Sequence, residues 1–261
     1  MPSTYAHYRF GVKMLPTLPA DVRRSVQRFR RMYDVGLHGP DIFYFYNPFS
    51  AKGTGALGIK FHEQNGKTFF SRICRSIRME RNEAAAACLY GLLCHYVLDS
   101  VLHPFILQSA QELGVTHVEI ETEFDRYLLA RDRRMPPDGG KLSNHLSLTE
   151  GECETLAKFY PPCTGKTIKR ALSNAALCTR LLYTTEGVSR KVTEAGVNML
   201  GKELQGMLMT TKPNPKCAHL NEQLYSLYLQ AQERFPEYLQ QLQEHMTYSA
   251  PLDEDFALPF V

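Results

Sequence analysis

Imidazole and carboxylate side chains interrupt an otherwise apolar stretch of this 261-residue chain. Gly91–Pro104 reads Gly-Leu-Leu-Cys-His-Tyr-Val-Leu-Asp-Ser-Val-Leu-His-Pro, with His95, Asp99 and His103 spaced four residues apart. On an α-helix each four-residue step rotates by about 400°, so the three drift by only about 40° per step and share one face. A rise of about 1.5 Å per residue puts His95 and His103 about 12 Å apart along the axis. That exceeds what one ion spans with metal–nitrogen bonds of about 2 Å. Asp99 lies midway and can lean towards either. Burying such groups unpaired costs several kcal/mol each, so the line needs a metal, a polar network or a water-filled cleft. The line reads as part of a site with more than one metal.

Further donors surround it in sequence. His7, Asp41 and His62 precede the line, and His117 and Glu121 follow it at i, i+4. Five of the nine histidines fall in this set, all before residue 118. Imidazole with carboxylate suits zinc, with iron or manganese as alternatives. Hydrolytic zinc sites keep a position open for water and lower its pKa to about 7. Two ions about 3.5–4 Å apart can clamp a phosphoester between them, and Asp99 is the natural bridging carboxylate. Glu63, Glu119, Glu123 and Asp125 lie close to the ligands in sequence, where they would orient imidazoles or simply face solvent. His38, His145, His219 and His245 have no partner pattern.

The order of these donors carries a resemblance. An early His7, then Asp41, His62, His95-x3-Asp99, His103 and, fourteen residues on, His117-x3-Glu121 resembles the zinc-dependent phospholipase C family of bacteria. More distantly it is similar to the single-strand-specific fungal nucleases of the same superfamily. The resemblance implies an all-helical bundle with two or three zinc ions at the floor of a cleft. Asp41, His62, His95 and Asp99 would hold one ion, His103, His117 and Glu121 a second, and His7 with Asp99 a third. It implies attack of metal-bound hydroxide on a phosphodiester, with Asp41 as general base and phospholipid among the substrates. The secreted members complete the third shell with a processed N-terminal residue. Here six residues precede His7, so that shell is either incomplete or filled by Ser3, Thr4 or water. Asp99 and His103 stand four apart, against six in the secreted enzymes.

Two other readings compete. A nuclease or nucleotide phosphohydrolase would use the same metals with aromatic platforms and basic backbone contacts, which Arg72, Arg75 and Arg78 would supply. A helical binding protein would hold the metals as structural ions. A net charge of +3 gives no bulk electrostatic demand for nucleic acid, and no stable nucleic-acid complex is expected. Composition, 44% hydrophobic and 22% charged, is that of an ordinary globular chain. Seven cysteines without a CxxC pair favour a reducing compartment. No charged start leads into an apolar core, so a signal peptide is not expected and the setting reads as cytoplasmic. Ala84–Leu98 is the longest apolar run, but its line of ionisable residues makes it a buried helix rather than a membrane span. Peripheral membrane contact stays open.

The elements that must position the donors read as all-α, in one domain with a metal-ligand half at 1–132 and a helical half at 147–261. Residues 1–17 read as irregular. A helix from Pro19 to Val35 carries Arg23, Arg24, Arg28, Arg30 and Arg31, an anion-facing or simply solvated surface. The aromatic run Ile42–Phe49 reads as a short strand or pocket wall. Gly53–Gly58 spells GxGxxG without the strand–helix context of dinucleotide binding, and reads as a flexible loop. Lys67–Glu80 is helical. The central helix runs from Asn82 to His103, where Pro104 disfavours continuation. Thr116 and Glu119 form a capping box that opens a helix to Arg131, and Ser147 with Glu150 opens another. Arg133–Asn144 reads as a loop. Gly165-Lys166-Thr167 lacks the first glycine of a phosphate loop, since Tyr160 stands there. Helices follow at Thr167–Tyr183, Glu186–Met209 and Leu220–His245, the last kinked or split at Pro236, and the tail lies over the surface.

Overall fold

The computed structural model describes residues 4–47, 56–200 and 202–260, and among them there are helices and loops but no strand. The centre is α6, Glu83–Leu113. Asn82 caps its start by accepting from the Ala85 amide, and Gly114 ends it at φ +63°. The helix passes through Pro104, ten residues beyond the expected stop at His103. Pro104 faces solvent, so the carbonyl it deprives of a partner, that of Ser100, sits towards water rather than in the core. His103 therefore stands in mid-helix, aligned with His95 and Asp99. By length and composition α6 could cross a membrane, and 83% of its most apolar window is buried inside the protein.

The N-terminal segment corrects the expectation of irregular chain: Thr4–Met14 is helix α1, burying Tyr5, Ala6, His7, Phe10 and Met14. The expected single helix to Val35 is two, α2 at Ala20–Arg28 and α3 at Arg30–Gly36, broken at Phe29, whose φ and ψ are −110° and 41°. The arginines of α2 lie on its outer side, while Val22 and Val26 face inward.

Helix α3 crosses α6 backbone to backbone. A Cβ at Gly36 would lie 2.3 Å from the Cys88 carbonyl oxygen, and one at Gly91 would lie 2.2 Å from that of Tyr33. Backbone atoms cannot rotate out of the way, so Gly91→Ala should cost about 2 kcal/mol by overpacking. Urea denaturation measures it; an unchanged midpoint would mean that the crossing is looser than this geometry. The crossing delivers the next segment, Gly39–Phe45, to the level of His95. It is a 3-10 helix, not a strand, and Ile42, Phe43 and Phe45 are core residues. Phe49 lies outside the described residues, as do the glycines at 53 and 55 of the GxGxxG stretch. Gly58 itself lies in α4, Ala56–His62, against the Tyr44 ring.

Helix α5, Gly66–Glu80, is capped by Asn65, and α7, His117–Arg131, by Thr116, which accepts from the Glu119 amide. The loop expected at 133–144 contains a short helix, α8, Gly139–Ser143, capped by Asp138. The next helix, α9, starts two residues later than expected: Glu150–Ala157 carries its capping box on Thr149 and Glu152. Thr164 and Thr167 cap α10, Gly165–Leu182, so the phosphate-loop-like stretch is a helix start. Helices α11, Gly187–Leu200, and α12, Lys202–Gly206, occupy the region expected to be helical to Met209. Helix α13, Asn221–Tyr248, runs through Pro236 without splitting. The tail does not merely cover the surface: Phe256 and Phe260 are buried, Phe256 stacking on Tyr96 at 5.6 Å.

Candidate metal centre

Seven of the eight expected donors meet around one face of α6. Asp99 is the hub. Its Oδ1 lies 3.2 Å from His7 Nε2 and 3.6 Å from His103 Nε2, and its Oδ2 lies 3.1 Å from His95 Nε2. Asp41, delivered by the 3-10 segment, lies 2.9 Å from His62 Nε2 and 4.0 Å from His7 Nε2. Glu121, on α7, lies 3.1 Å from His103 Nε2. These groups are buried, His95 completely. The eighth donor, His117, is half-buried at the first position of α7, one turn from Glu121, whose carboxyl feels its charge. Ser3 lies outside the described residues, and Thr4 is buried at the start of α1.

Two triplets present ligand atoms within 4.8 Å of one another: His7, His95 and Asp99, and Asp41, His62 and His95. They share His95. Atoms about 2 Å from a tetrahedral zinc are about 3.3 Å apart, so modest tightening would close either triplet on an ion. His103 and Glu121 flank the other side of Asp99.

The chemistry of the donors fits such ions. His62 Nδ1 donates to the Gly58 carbonyl at 2.8 Å, which fixes the tautomer and turns the Nε2 lone pair towards the Asp41 carboxylate. A neutral imidazole so placed opposes its lone pair to an anionic oxygen; a cation between them resolves the conflict. His7 Nδ1, both nitrogens of His95, Asp99 Oδ2 and His103 Nδ1 are buried and lack a hydrogen-bond partner among the described residues. Buried polar atoms rarely stay so.

Charge reinforces the geometry. Burial holds the His95 imidazole neutral by lowering its pKa to about 4, which leaves it a lone-pair donor. Burial also acts against the Asp99 charge, but His103, His95 and His7 around it win and keep its carboxyl well below the usual range. Asp41 and Glu121 are likewise lowered against the effect of burial, Asp41 by His95 and His62 and Glu121 by His103 and His117. All three carboxylates are thus poised as anionic ligands.

Neighbouring elements hold the rings. Gly39, at φ +48°, leaves room for His95: a Cβ there would lie 2.5 Å from His95 Cδ2. Phe260 packs on the other side, its ring centroid 6.2 Å from that of His95 and its amide donating to the His62 carbonyl at 2.9 Å. Neither residue carries a sequence signal, because each acts through shape. Tyr44 packs beside the His62 ring, the two centroids 5.0 Å apart. Glu119 and Glu123 do not orient imidazoles. Glu123 binds Arg126, Asn221 and the Asn214 amide, and Glu119 binds Asn214. Glu63 is exposed. Arg72 donates to the Phe159 carbonyl and Arg78 to the His245 carbonyl, so two of the three arginines proposed for phosphate contacts serve the fold.

A histidine pair missed in the sequence adjoins the centre. His38 Nε2 lies 2.6 Å from His145 Nε2, and His145 stacks on Tyr8 at 4.3 Å. Only one proton fits between the two nitrogens. Burial and then the charge of His145 push His38 well below the usual histidine range, and burial and then Arg30 bring His145 down to about 4. The unfolded chain therefore binds these protons more readily than the folded one. Stability is present above about pH 6.5 and is lost as pH falls towards 4. His145→Asn, which keeps a polar partner but does not titrate, should lose about 2 kcal/mol less than wild type from about pH 7 to about pH 4.5. Denaturation of chelator-treated protein at each pH measures this, and identical pH dependence would refute it.

All seven cysteines are free thiols, six of them buried. Comparison with curated proteins and with solved structures gives no match. The profile of the family described as zinc-dependent phospholipase C matches residues 6–164, which contain all eight donors. With more than half its length matched and seven of the eight donors gathered around one face of α6, the chain belongs to the zinc-dependent phospholipase C family.

Proposed function

We propose that this protein hydrolyses a phosphodiester, with phospholipid as the leading substrate class, using two or three zinc ions held on α6. The observation that carries the reading is the pair of buried donor triplets sharing His95, with Asp99 facing three imidazoles. In this reading Asp41, His62, His95 and Asp99 hold one ion, His103, His117 and Glu121 a second, and His7 with Asp99 a third. Bound zinc supplies Lewis acidity towards a phosphoryl oxygen and towards water. The chain's own residues do the rest. Asp41 stands 2.9 Å from His62 Nε2 and serves as general base. The Gly58 carbonyl sets the His62 tautomer. The seven free thiols suit the cytoplasmic setting proposed for the chain.

The test is Asp41→Asn on chelator-free protein, assayed on phosphatidylcholine vesicles and, in parallel, on a single-stranded oligonucleotide. A folded variant with hydrolysis of the lipid reduced at least ~100-fold supports the reading. Hydrolysis of the oligonucleotide alone would transfer the site to a nuclease. Wild-type protein with stoichiometric zinc that hydrolyses neither substrate, together with an Asp41→Asn variant that unfolds, would make the metals structural.

A further inference from the structure

Helix α1 delivers His7, and its first amides are capped by a side chain of another helix. The cap comes from 120 residues away. Asp125, on α7, is completely buried. Its carboxylate accepts from the Tyr5 amide at 2.9 Å and the Ala6 amide at 2.7 Å, and also from the Tyr183 hydroxyl. Three dipoles face it, two of them buried amides in the first turn of a helix, where a negative charge is favoured. Tyr183 ends α10, so this one carboxylate joins α1, α7 and the C-terminal half of the chain.

We propose that Asp125, braced by Tyr183, is the positioning residue for His7: it fixes the rotation and depth of α1 so that the imidazole meets Asp99. The inference rests on the zinc reading above. The clamped amides lie one and two residues before His7. Successive residues are about 100° apart around a helix, so a slip of one amide would turn His7 away from the α6 face. A second carboxylate, Asp132, stands two turns along α7 and takes the Tyr5 hydroxyl and Arg9 Nε, each at 2.6 Å. It steadies the outer face of α1 but touches no backbone amide there. Between these two carboxylates, it is Asp125 that binds the backbone of α1. The arrangement also gives the C-terminal half a part in a centre to which it contributes no donor.

Asparagine at 125 is isosteric, yet it presents an NH2 group to one of two N–H donors and can satisfy only one. The experiment uses the full chain, wild type, Asp125→Asn and Tyr183→Phe, loaded with zinc alone and titrated against a chromophoric chelator. Hydrogen exchange of the peptide containing Tyr5 and Ala6 is followed in the metal-free proteins. For Asp125→Asn with wild-type circular dichroism, one class of zinc should bind 10–100-fold more weakly, as when a residue supporting a ligand is lost. The other classes should be unchanged and the Tyr5–Ala6 amides should exchange faster. Tyr183→Phe should weaken the same class by less than tenfold. A folded Asp125→Asn that binds every zinc as wild type does overturns the inference. So does one that weakens all classes equally. If Asp125→Asn does not fold, Tyr183→Phe decides: an unchanged zinc titration overturns the proposal. Wild-type protein that takes up no zinc overturns the metal reading itself, and this inference with it.

Discussion

Asp99→Ala will empty the centre rather than trim it. One carboxylate lies within 3.6 Å of imidazoles from His7, His95 and His103, and it belongs to a triplet that shares His95 with the other. Its removal therefore weakens more than one ion, and elemental mass spectrometry of chelator-free protein should show zinc per chain falling by at least one. Hydrolysis should fall ~10³-fold or more, since the loss of Lewis-acid stabilisation is worth several kcal/mol in the transition state. The fold should survive. Imidazoles deprived of a carboxylate release their protons instead of remaining as buried cations, so circular dichroism at pH 8 should match wild type. A variant that retains full zinc content would remove Asp99 from the centre, and the hub geometry would then be a polar network of the core.

Gly39→Ala should damage the same centre without touching a donor. The residue sits at φ +48°, where a side chain costs about 1–2 kcal/mol. Its Cβ would also lie 2.5–2.9 Å from three atoms of the His95 ring. That ring is hemmed in: His7 packs against it at 4.4 Å and Phe260 at 6.2 Å, each tilted by 31°. Either His95 shifts or the segment carrying Asp41 lifts, and in both cases the triplet of Asp41, His62 and His95 opens. The expected result is a loss of about 3 kcal/mol, with zinc affinity at that triplet down at least ~100-fold. Gly114→Ala is the control. It has a similar φ of +63° but nothing within 4 Å of its Cβ, so only the backbone cost of about 1 kcal/mol applies and zinc should bind normally. Equal zinc binding in both variants would show that His95 does not depend on the space at residue 39.

Much of the centre was legible in the chain before any tertiary contact was known. His95, Asp99 and His103 lie within one helix, and helical geometry alone places them on one face. The pair His117 and Glu121 follows from the same rule, and Thr116 marks the start of its helix by local hydrogen bonding. The all-α class follows from periodicity, which is likewise a property of neighbours in sequence. Where the reading failed, the deciding contact came from far along the chain. Residues 1–17 read as irregular because the carboxylate that holds the first amides of α1, Asp125, lies 120 residues away. Helix α6 runs past the stop that Pro104 suggests because a proline on a solvent-facing turn leaves its freed carbonyl near water. The tail reads as surface chain because Phe260 has no local reason to be buried; its partners are Phe69, Phe70, Tyr96 and His95.

The donor types, their order and the helix that aligns three of them were determined by the sequence itself. Which donor meets which was decided only by the tertiary structure. That depends on α3 and α6 touching through Gly36 and Gly91, on the space left at Gly39, and on a carboxylate at 125 holding the start of α1. These are constraints of shape and of buried hydrogen bonding between segments some 50 to 120 residues apart, and local propensity carries no record of them.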